Sequence, residues 1–406
     1  MIRKKIILLL LIIVSVNLTA QQKFYNILIS FDGFRWDYPN RGITPNLDFI
    51  KQHGVHASSL KPCFPTKTFP NHYSIVTGLY PQNHGIIANN FFNPVTGKMY
   101  RIGDTVAVRD PRNYIGEAIW ETAKRQGVIT ASYFWPGSEL TLDYRRPDYY
   151  EKYEHNRAYS KRIEGVLDWL KLPYNQRPKL ITMYFDATDT YGHQFGTNSP
   201  EVTRSIMQLD SLIGKLFNGL KDLNLYDSTN VIIVSDHGMA DVDNVRIINV
   251  EKILSNTKQR IVDSGPVMYV FPDDNEKSKI YDLLKASEKN YKVYYREEIP
   301  EYLNFSKSFI IPPILIVAEP GWSLLTEKDI KRYSKMTTGG NHGYDNNFID
   351  MHGIFFAIGP DFKTGYTCGT IQNIDINPLL AKLLHIIPNQ KIDGKFERIE
   401  FLLRDF

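Results

Sequence analysis

Acidic and imidazole side chains follow three β-rich apolar runs, each at the point where the run ends. The first run ends in Asp32-Gly33, the second leads to Asp189 and His193, and the third leads to Asp236-His237. Because ligands of open α/β sheets bind beyond the carboxyl ends of the strands, we expect these side chains to converge in one crevice. Carboxylates and imidazoles are ligands of zinc and of similar transition metals. The pattern therefore predicts a metal site.

A fourth segment, Gly340-Asn341-His342-Gly343, adds another imidazole beside glycines, which allow a ligand to approach the backbone closely. The carboxylates and imidazoles at the strand ends are already too many for one four-coordinate ion, so the set favours two metals. Taken alone, each motif is more often a cap or a turn than a ligand set. The combination favours the metal site.

A hydroxyl group that could act as a nucleophile lies at Thr68, two residues before Pro70. Proline in this place predicts the first turn of a helix. A hydroxyl at a helix N-terminus faces unpaired N–H groups and the positive end of the dipole, which suits a phosphoryl group. A plain helix cap remains the alternative from this segment alone. Attack by a threonine hydroxyl needs activation, which a divalent metal can supply.

The elements that must position these side chains alternate along the chain. The predicted core strands are residues 25–31, 180–185, 231–235 and 353–359. The predicted helices are residues 114–126, 162–170 and 202–220. This alternation is typical of βα units and predicts an α/β fold with a mostly parallel central sheet. Shorter strand-like pieces at about 245–335 predict a small inserted α+β subdomain, and no linker divides residues 21–406, which we expect to form a single domain.

The composition excludes a disordered or low-complexity chain, because 43% of the 406 residues are apolar and 23% are charged. Residues 1–20 have the pattern of a signal peptide, with a basic start, about ten apolar residues and a small residue, Ala20, at the expected cleavage point. The apolar run is short for a membrane anchor, which needs roughly 20 residues. We therefore expect an exported protein, periplasmic or secreted, without a membrane span in the mature chain.

The charge balance and the cysteine content bear on two further classes of function, nucleic-acid binding and thiolate metal binding. Lys and Arg number 48 and Asp and Glu 44, and three of the basic residues lie in the leader, so the mature chain is nearly neutral. No specific nucleic-acid binding is expected from such a balance. The two cysteines, Cys63 and Cys368, form no CxxC spacing, which disfavours a thiolate zinc site. Whether they form a disulfide is left open, as is the oligomeric state.

The order of these motifs resembles that of the nucleotide pyrophosphatase/phosphodiesterases, a family of the alkaline phosphatase superfamily. The resemblance rests on Pro65-Thr66-Lys67-Thr68-Phe69-Pro70-Asn71-His72-Tyr73, Asp32-Gly33, Asp189-x-x-x-His193, Asp236-His237-Gly238 and His342-Gly343, and it spans roughly residues 24–400. It implies a bacterial secreted member with an alkaline-phosphatase-like αβα sandwich and a catalytic phosphodiesterase domain at residues 21–406.

The same resemblance implies two zinc ions and a covalent mechanism. One zinc would be held by Asp189, His193 and His342, and the other by Asp32, Asp236, His237 and Thr68. Thr68 would attack the phosphorus and form a nucleotidyl ester, whose hydrolysis would release a nucleoside 5′-monophosphate. Asn89 matches the asparagine that donates to a phosphate oxygen in the family, although a turn role is the alternative.

The resemblance also implies an aromatic slot for the nucleobase, formed by Phe69, Trp135 and Tyr153, with ordinary core or rim aromatics as the alternative. Phe69 follows Thr68 where a monoesterase would need a basic group, which favours diesters. The region around Arg109 lacks the lysine expected to contact a nucleotide phosphate, so terminal phosphate recognition stays open.

Three functions are therefore compared. The first is hydrolysis of nucleotide pyrophosphates and phosphodiesters, with a small-molecule substrate. The second is a choline-phosphate or lysophospholipid phosphodiesterase with the same chemistry, because the metal ligands do not contact the leaving group. The third is a non-catalytic metal-binding protein of the same fold. The presence of every ligand and of Thr68 disfavours the third, since a degenerate relative would be expected to lack at least one.

Overall fold

Strands and helices alternate through the described part of the chain, which covers residues 24–273, 275–334 and 337–404 of a computed structural model. The strands are β1 (Tyr25–Phe31), β2 (Val55–Ala57), β3 (Leu60–Lys61), β4 (Asn90–Asn93), β5 (Lys98–Arg101), β6 (Thr130–Tyr133), β7 (Tyr149–Glu151), β8 (Leu180–Phe185), β9 (Thr229–Val234), β10 (Ala240–Asp243), β11 (Ile247–Asn249), β12 (Gln259–Val262), β13 (Val267–Pro272), β14 (Tyr291–Tyr295), β15 (Ile314–Ala318), β16 (Ser323–Leu325), β17 (Thr338–Asn341), β18 (Phe355–Ile358), β19 (Tyr366–Cys368) and β20 (Ile371–Gln372). The helices are α1 (Pro45–His53), α2 (Thr68–Thr77), α3 (Pro81–His84), α4 (Ile119–Arg125), α5 (Tyr159–Lys171), α6 (Ala187–Phe195), α7 (Pro200–Asp222), α8 (Val250–Ile253), α9 (Lys277–Ala286), α10 (Glu327–Tyr333) and α11 (Ile376–Leu383). The predicted signal peptide at residues 1–20 lies outside the described residues.

The central sheet has eight strands in the order β19-β2-β18-β9-β1-β8-β6-β7. Strand β18 runs antiparallel to both of its neighbours, β9 and β2. All other neighbouring pairs in this sheet are parallel. The predicted α/β fold with a mostly parallel sheet is confirmed, and the sheet is mixed because of β18.

Helices cover both faces of this sheet, which explains why its inner strands read as continuous apolar runs. All seven residues of β1 are buried. Leu28 packs into the core that contains residues of α2, α4 and α11. Ile27 and Ile29 pack into the opposite core, with residues of α1, α5 and α7. The expected αβα sandwich is therefore confirmed.

All three predicted helices differ from the observed ones in where they begin and end, and the stretch predicted at 162–170 is helical over Tyr159–Lys171. The stretch predicted at 202–220 is helical over Pro200–Asp222, and the side chain of Ser199 caps it by accepting from the N–H of Val202. The stretch predicted at 114–126 is helical only over Ile119–Arg125. It starts late because Ala118 is extended, with ψ 156°, and its N–H donates to the Glu121 carboxylate at 3.1 Å.

A second sheet, in the order β12-β13-β15-β14, lies within the segment predicted as an inserted subdomain. Its neighbouring strands are all antiparallel. One face contributes Tyr269 and Leu315 to the core that also holds α2. The other face packs with Ile280 and Leu284 of α9. The boundaries at 245 and 335 stay a prediction.

Two further features bear on the expectations from sequence. Among the described residues, no helix combines the length and the apolar character that crossing a membrane requires.

Cys63 and Cys368 are both free thiols in this structure. Burial raises the pKa of Cys63 to about 12, and its Sγ donates to Oδ1 of Asn373 at 3.1 Å. A thiol in this setting is a packing group rather than a nucleophile.

Candidate active site

The strands that carry the predicted ligands are direct neighbours, because β1 lies between β9 and β8. Their parallel register pairs Ser30 with Val234 and Phe31 with Phe185, so all three strands end at one edge of the sheet. Gly33 has a positive φ of 63°, and a Cβ there would lie 2.9 Å from the Cα of Asp189. Glycine at this position lets the end of β1 approach α6, which brings the second ligand segment to the first.

The first group of side chains surrounds the ring of His237, which is fully buried. Its Nε2 lies 3.4 Å from Oδ1 of Asp32 and 3.0 Å from Oδ2 of Asp236. The hydroxyl oxygen of Thr68 lies 3.3 Å from the same nitrogen. The four residues predicted to share one metal therefore lie together.

The second group lies beside the first. Oδ1 of Asp189 is 3.4 Å from Nε2 of His193 and 3.5 Å from Nε2 of His342. The Nε2 atoms of the two histidines are 3.1 Å apart. The ligand atoms of His237, Asp189 and His342 also lie within 4.8 Å of one another, so His237 adjoins both groups.

Backbone carbonyls orient the three imidazoles. In each ring the Nδ1 atom lies at hydrogen-bonding distance from a backbone oxygen, in the pairs His193 with Gly340 (2.8 Å), His237 with Gly238 (2.8 Å) and His342 with Thr66 (2.7 Å). When Nδ1 carries the proton and donates it to the carbonyl, Nε2 presents a lone pair toward the cluster. This is the arrangement that metal-binding histidines use.

Three carboxylate oxygens in the cluster are buried and accept no hydrogen bond from any described residue. They are Oδ1 of Asp32, Oδ1 of Asp189 and Oδ2 of Asp236. A buried carboxylate oxygen without a partner is costly unless a cation compensates it. The donor set, which is oxygen and imidazole nitrogen, fits divalent metals, and its size fits two of them.

The pKa shifts within the cluster also indicate a site for divalent cations. Burial, together with the charges of Asp236 and Asp189, raises the pKa of Asp32. Burial also opposes ionisation of Asp236, but His237 and His72 hold its pKa well below the usual range. Burial and the neighbouring His237 and His193 lower the pKa of His342. The fold thus places several carboxylates close together, and bound cations would compensate their negative charge.

Thr68 occupies the place predicted for it, because α2 begins there and Lys67 before it is extended. The backbone N–H of the next residue, Phe69, donates to Oδ1 of Asn89 at 3.0 Å. This contact leaves the NH₂ group of Asn89 without an acceptor among the described residues. The Asn89 amide is therefore able to donate to a ligand beside Thr68.

Two residues at the site escaped the sequence analysis. His72 lies one helical turn after Thr68, with Nδ1 2.9 Å from the Thr68 carbonyl oxygen and 3.3 Å from Oδ2 of Asp236, and its Nε2 is 2.8 Å from the Ser30 hydroxyl. Tyr184 in β8 donates its hydroxyl to Oδ2 of Asp32 at 2.5 Å. These contacts fix the start of α2 and the orientation of the Asp32 carboxylate.

A cavity of about 320 Å³ opens from the cluster. Its lining includes Thr68, Asn89 and the candidate metal ligands Asp32, Asp189, His193 and His342. The three predicted slot residues, Phe69, Trp135 and Tyr153, all line its walls. Trp135 is buried, and its indole N–H donates to the carbonyl of His72 at 3.0 Å, whereas Tyr153 is 48% exposed. The size and the lining suit a small organic ligand.

Comparisons with known proteins give one consistent result. Residues 26–345 match the family described as type I phosphodiesterase/nucleotide pyrophosphatase. The human ectonucleotide pyrophosphatase/phosphodiesterase family member 5 is 35% identical over 387 residues, which cover 94% of this chain and 78% of the relative. The bis(5′-adenosyl)-triphosphatase of Xenopus laevis is 36% identical, covering 93% of this chain and 81% of the relative. Human family member 1 is 37% identical, but the chain spans only 40% of its length.

Solved structures agree with the sequence matches. Murine family member 5 superimposes with a TM-score of 0.88 at 33% identity, covering 94% of this chain and all of that one. A second structure of the murine protein, at 32% identity and the same TM-score, is an inactive threonine-to-alanine variant in complex with AMP.

Proposed function

The chain belongs to the type I phosphodiesterase/nucleotide pyrophosphatase family, and we propose that it hydrolyses nucleotide pyrophosphate and phosphodiester bonds with two zinc ions. The products are nucleoside 5′-monophosphates, formed through a covalent ester on Thr68. The observation that carries this proposal is the position of Thr68. Its hydroxyl lies in the buried carboxylate and imidazole cluster, 3.3 Å from His237, and it lines a cavity with aromatic walls.

Each side chain has a defined part in this reaction. Asp32, Asp236, His237 and Thr68 would hold one zinc, and Asp189, His193 and His342 the other. When bound, the ions act as Lewis acids that stabilise negative charge on the attacking and phosphoryl oxygens.

The bonding steps are carried by Thr68 and assisted by Asn89. The Thr68 hydroxyl releases its proton to solvent as its oxygen attacks the phosphorus, and the leaving group departs with its bonding electron pair. Water then hydrolyses the nucleotidyl ester and restores the Thr68 hydroxyl. The free NH₂ of Asn89 donates to a non-bridging oxygen and stabilises the charge that develops there. His72 contacts both the Thr68 carbonyl oxygen and the Asp236 carboxylate, and it thereby fixes the positions of these two residues relative to each other.

The lining of the cavity favours a nucleotide over a choline ester. Its aromatic walls suit a stacked base, whereas free carboxylates around the trimethylammonium group would favour choline. Among the lining residues, Asp32 and Asp189 belong to the candidate metal set, and Glu139 is paired with Arg109 at 2.7 Å. The AMP complex of the murine relative and the name of the Xenopus relative also support nucleotides as substrates here.

The experiment that tests this function compares two chromogenic diesters, p-nitrophenyl thymidine 5′-monophosphate and p-nitrophenyl phosphorylcholine, with and without a chelator. We expect preferred hydrolysis of the nucleotide ester, lost on chelation and restored by zinc. Preference for the choline ester would move the function to lipid head groups. No hydrolysis of either ester by zinc-loaded protein would leave a metal-binding protein without turnover.

Replacing Tyr153 by alanine tests the aromatic slot. Loss of a stacking face costs roughly 1–3 kcal/mol per base, so we expect KM for the nucleotide ester to rise about tenfold or more, with kcat little changed. Hydrolysis of bis(p-nitrophenyl) phosphate, which has no base, serves as the reference substrate. Tyr144→Ala, at a tyrosine that is 67% exposed and does not line the cavity, serves as the control variant. Equal losses on both substrates would remove the slot from the proposal.

We also propose that the protein is exported and that residues 1–20 are removed. The basic and apolar leader supports this, and the measurement is the intact mass of protein recovered from the expressing cell's exterior or periplasm. A mature chain that begins at Gln21 is expected. Recovery of the unprocessed chain in the cytoplasm would contradict the proposal.

A further inference from the structure

The wall of the cavity includes a polar pair, Arg109 and Glu139, as well as Ile102, Thr105 and Val108. Glu139 accepts a hydrogen bond from the backbone N–H of Tyr153, so the pair lies beside the slot tyrosine. A base that lies against Tyr153 would therefore present one of its edges to this pair. The polar groups here therefore decide which base edges fit.

Glu139 has both carboxylate oxygens engaged. Oε2 accepts from Nε of Arg109 at 3.0 Å and from Nη2 at 2.7 Å. Oε1 accepts from the backbone N–H of Tyr153 at 2.7 Å. The Glu139 side chain is only 13% exposed, so this carboxylate holds the guanidinium against the segment that carries the slot tyrosine.

Arg109 retains hydrogen-bond donors after this pairing. Its Nη1 group, with two N–H bonds, meets no acceptor among the described residues, and its side chain is 32% exposed at the cavity. A guanidinium has five donors and no acceptor. Thr105, which also lines the cavity, can donate or accept and so does not discriminate. Arg109 thus offers the cavity a donor held in place by Glu139, whose own carboxylate oxygens both already accept hydrogen bonds.

We propose that Arg109 selects nucleobases with a keto oxygen at this edge, namely uracil, thymine and guanine, over cytosine and adenine. This inference rests on the proposed function, because it assigns the base preference of the same site. Arg109 is a specificity-determining residue, and Glu139 is the positioning residue that fixes its guanidinium.

The chemistry of the base edges gives the preference its direction. Uracil and thymine present an O4 acceptor and guanine presents O6, whereas cytosine and adenine present exocyclic NH₂ donors. A keto oxygen accepts from Nη1, while an amino group facing a guanidinium leaves two donors without an acceptor. A site built to hydrogen-bond one substrate rejects an analogue that cannot form that hydrogen bond, because the polar group of the site is then left without a partner.

The test uses two substrates that differ at this edge alone. UDP-glucose and CDP-glucose have the same sugar and diphosphate. Their pyrimidines differ along one edge, at position 4, which carries a keto oxygen in uracil and an amino group in cytosine, and at N3, which is protonated only in uracil. For zinc-loaded wild-type protein we expect kcat/KM for UDP-glucose to exceed that for CDP-glucose by about tenfold, expressed mainly in KM. In Arg109→Ala this ratio should fall toward one. The control is Arg112→Ala, since Arg112 pairs with Asp110 and does not line the cavity.

A second variant keeps the test valid if Arg109→Ala folds poorly. Glu139→Gln retains the shape of the side chain but weakens its hold on the guanidinium, so the ratio should fall part of the way, mainly through a higher KM for UDP-glucose. A fall in kcat for both substrates with an unchanged ratio would mark Glu139 as merely structural and would count against the proposal.

The remaining outcomes separate this inference from the proposed function. Bis(p-nitrophenyl) phosphate is measured alongside, because it reports the chemistry without a base. Turnover of that diester together with equal use of UDP-glucose and CDP-glucose, or preference for CDP-glucose, overturns the role of Arg109 and leaves the proposed function standing. A wild-type preference that survives in Arg109→Ala also overturns it. Absence of turnover on all three substrates overturns both.

Discussion

Thr68→Ala is expected to remove at least about a thousandfold of kcat on the nucleotide ester, while the fold and the zinc content stay as in wild type. The physical reason is that the change removes the attacking hydroxyl, together with one methyl group, while the carboxylates and imidazoles that would hold the metals remain. Rates on p-nitrophenyl thymidine 5′-monophosphate, zinc content by mass spectrometry and the melting temperature are the measurements.

Thr68→Ser is the matched control, because it restores the hydroxyl at the start of α2. We expect it to recover a substantial part of the rate lost in Thr68→Ala. Acid-quenched reactions should show a nucleotidyl adduct by intact mass in wild type and in Thr68→Ser, and none in Thr68→Ala. If Thr68→Ala keeps wild-type turnover or still forms the adduct, then the nucleophile is another residue.

The sequence located much of this site because parallel strands bring distant segments to one edge. Strands β1 and β8 have the predicted bounds, 25–31 and 180–185. An acid that follows a buried strand, immediately at Asp32 and after one intervening residue at Asp236, must therefore lie at the carboxyl edge of the sheet. The prediction worked for these residues because it needed only the strand ends and a general rule of topology.

Contacts that depend on the path of the chain were beyond such reasoning. Arg109 and Glu139 are 30 residues apart and meet on a cavity wall outside the predicted core strands. Tyr184 points its hydroxyl at Asp32 from a strand whose apolar run gave no sign of it. His72 could have been found, since a residue four positions after Thr68 lies on the same face of a helix that begins there.

The cluster to which we assign the chemistry is expected to destabilise the metal-free protein. Asp32, Asp189 and Asp236 lie close together and each has a buried oxygen without a hydrogen-bond partner. Desolvation and the charges of Asp236 and Asp189 act against the ionised form of Asp32 and raise its pKa. Bound cations reverse this balance, so zinc should stabilise the fold as well as enable turnover.

Asp32→Asn separates these two effects and has the second-largest expected consequence. The amide has the same shape and still accepts from Tyr184, but it offers no negative charge to a cation. We expect zinc content to fall to roughly one ion per chain, and kcat/KM to fall by more than about a hundredfold, the upper end of what loss of an outer-shell partner costs. Metal-free Asp32→Asn should melt at or above metal-free wild type, because Asp236 and Asp189 lose a like-charged neighbour. Adding zinc should then raise its melting temperature less than that of wild type.

Asp186→Asn is the control that makes this result specific to the metal ligands. Asp186 also follows β8, but its carboxylate pairs with Arg162 at 3.5 Å and accepts from the hydroxyl of Tyr159 at 3.2 Å, outside both candidate metal groups. Losing that buried ion pair should lower the melting temperature with and without zinc, while zinc content stays at the wild-type level. The two variants should therefore have opposite effects. Asp32→Asn should lose zinc without lowering the melting temperature of the metal-free protein. Asp186→Asn should have a lower melting temperature and keep its zinc. Full zinc content and turnover in Asp32→Asn would show that Asp32 is not a ligand, and the crowding of carboxylates at this edge would then need another explanation.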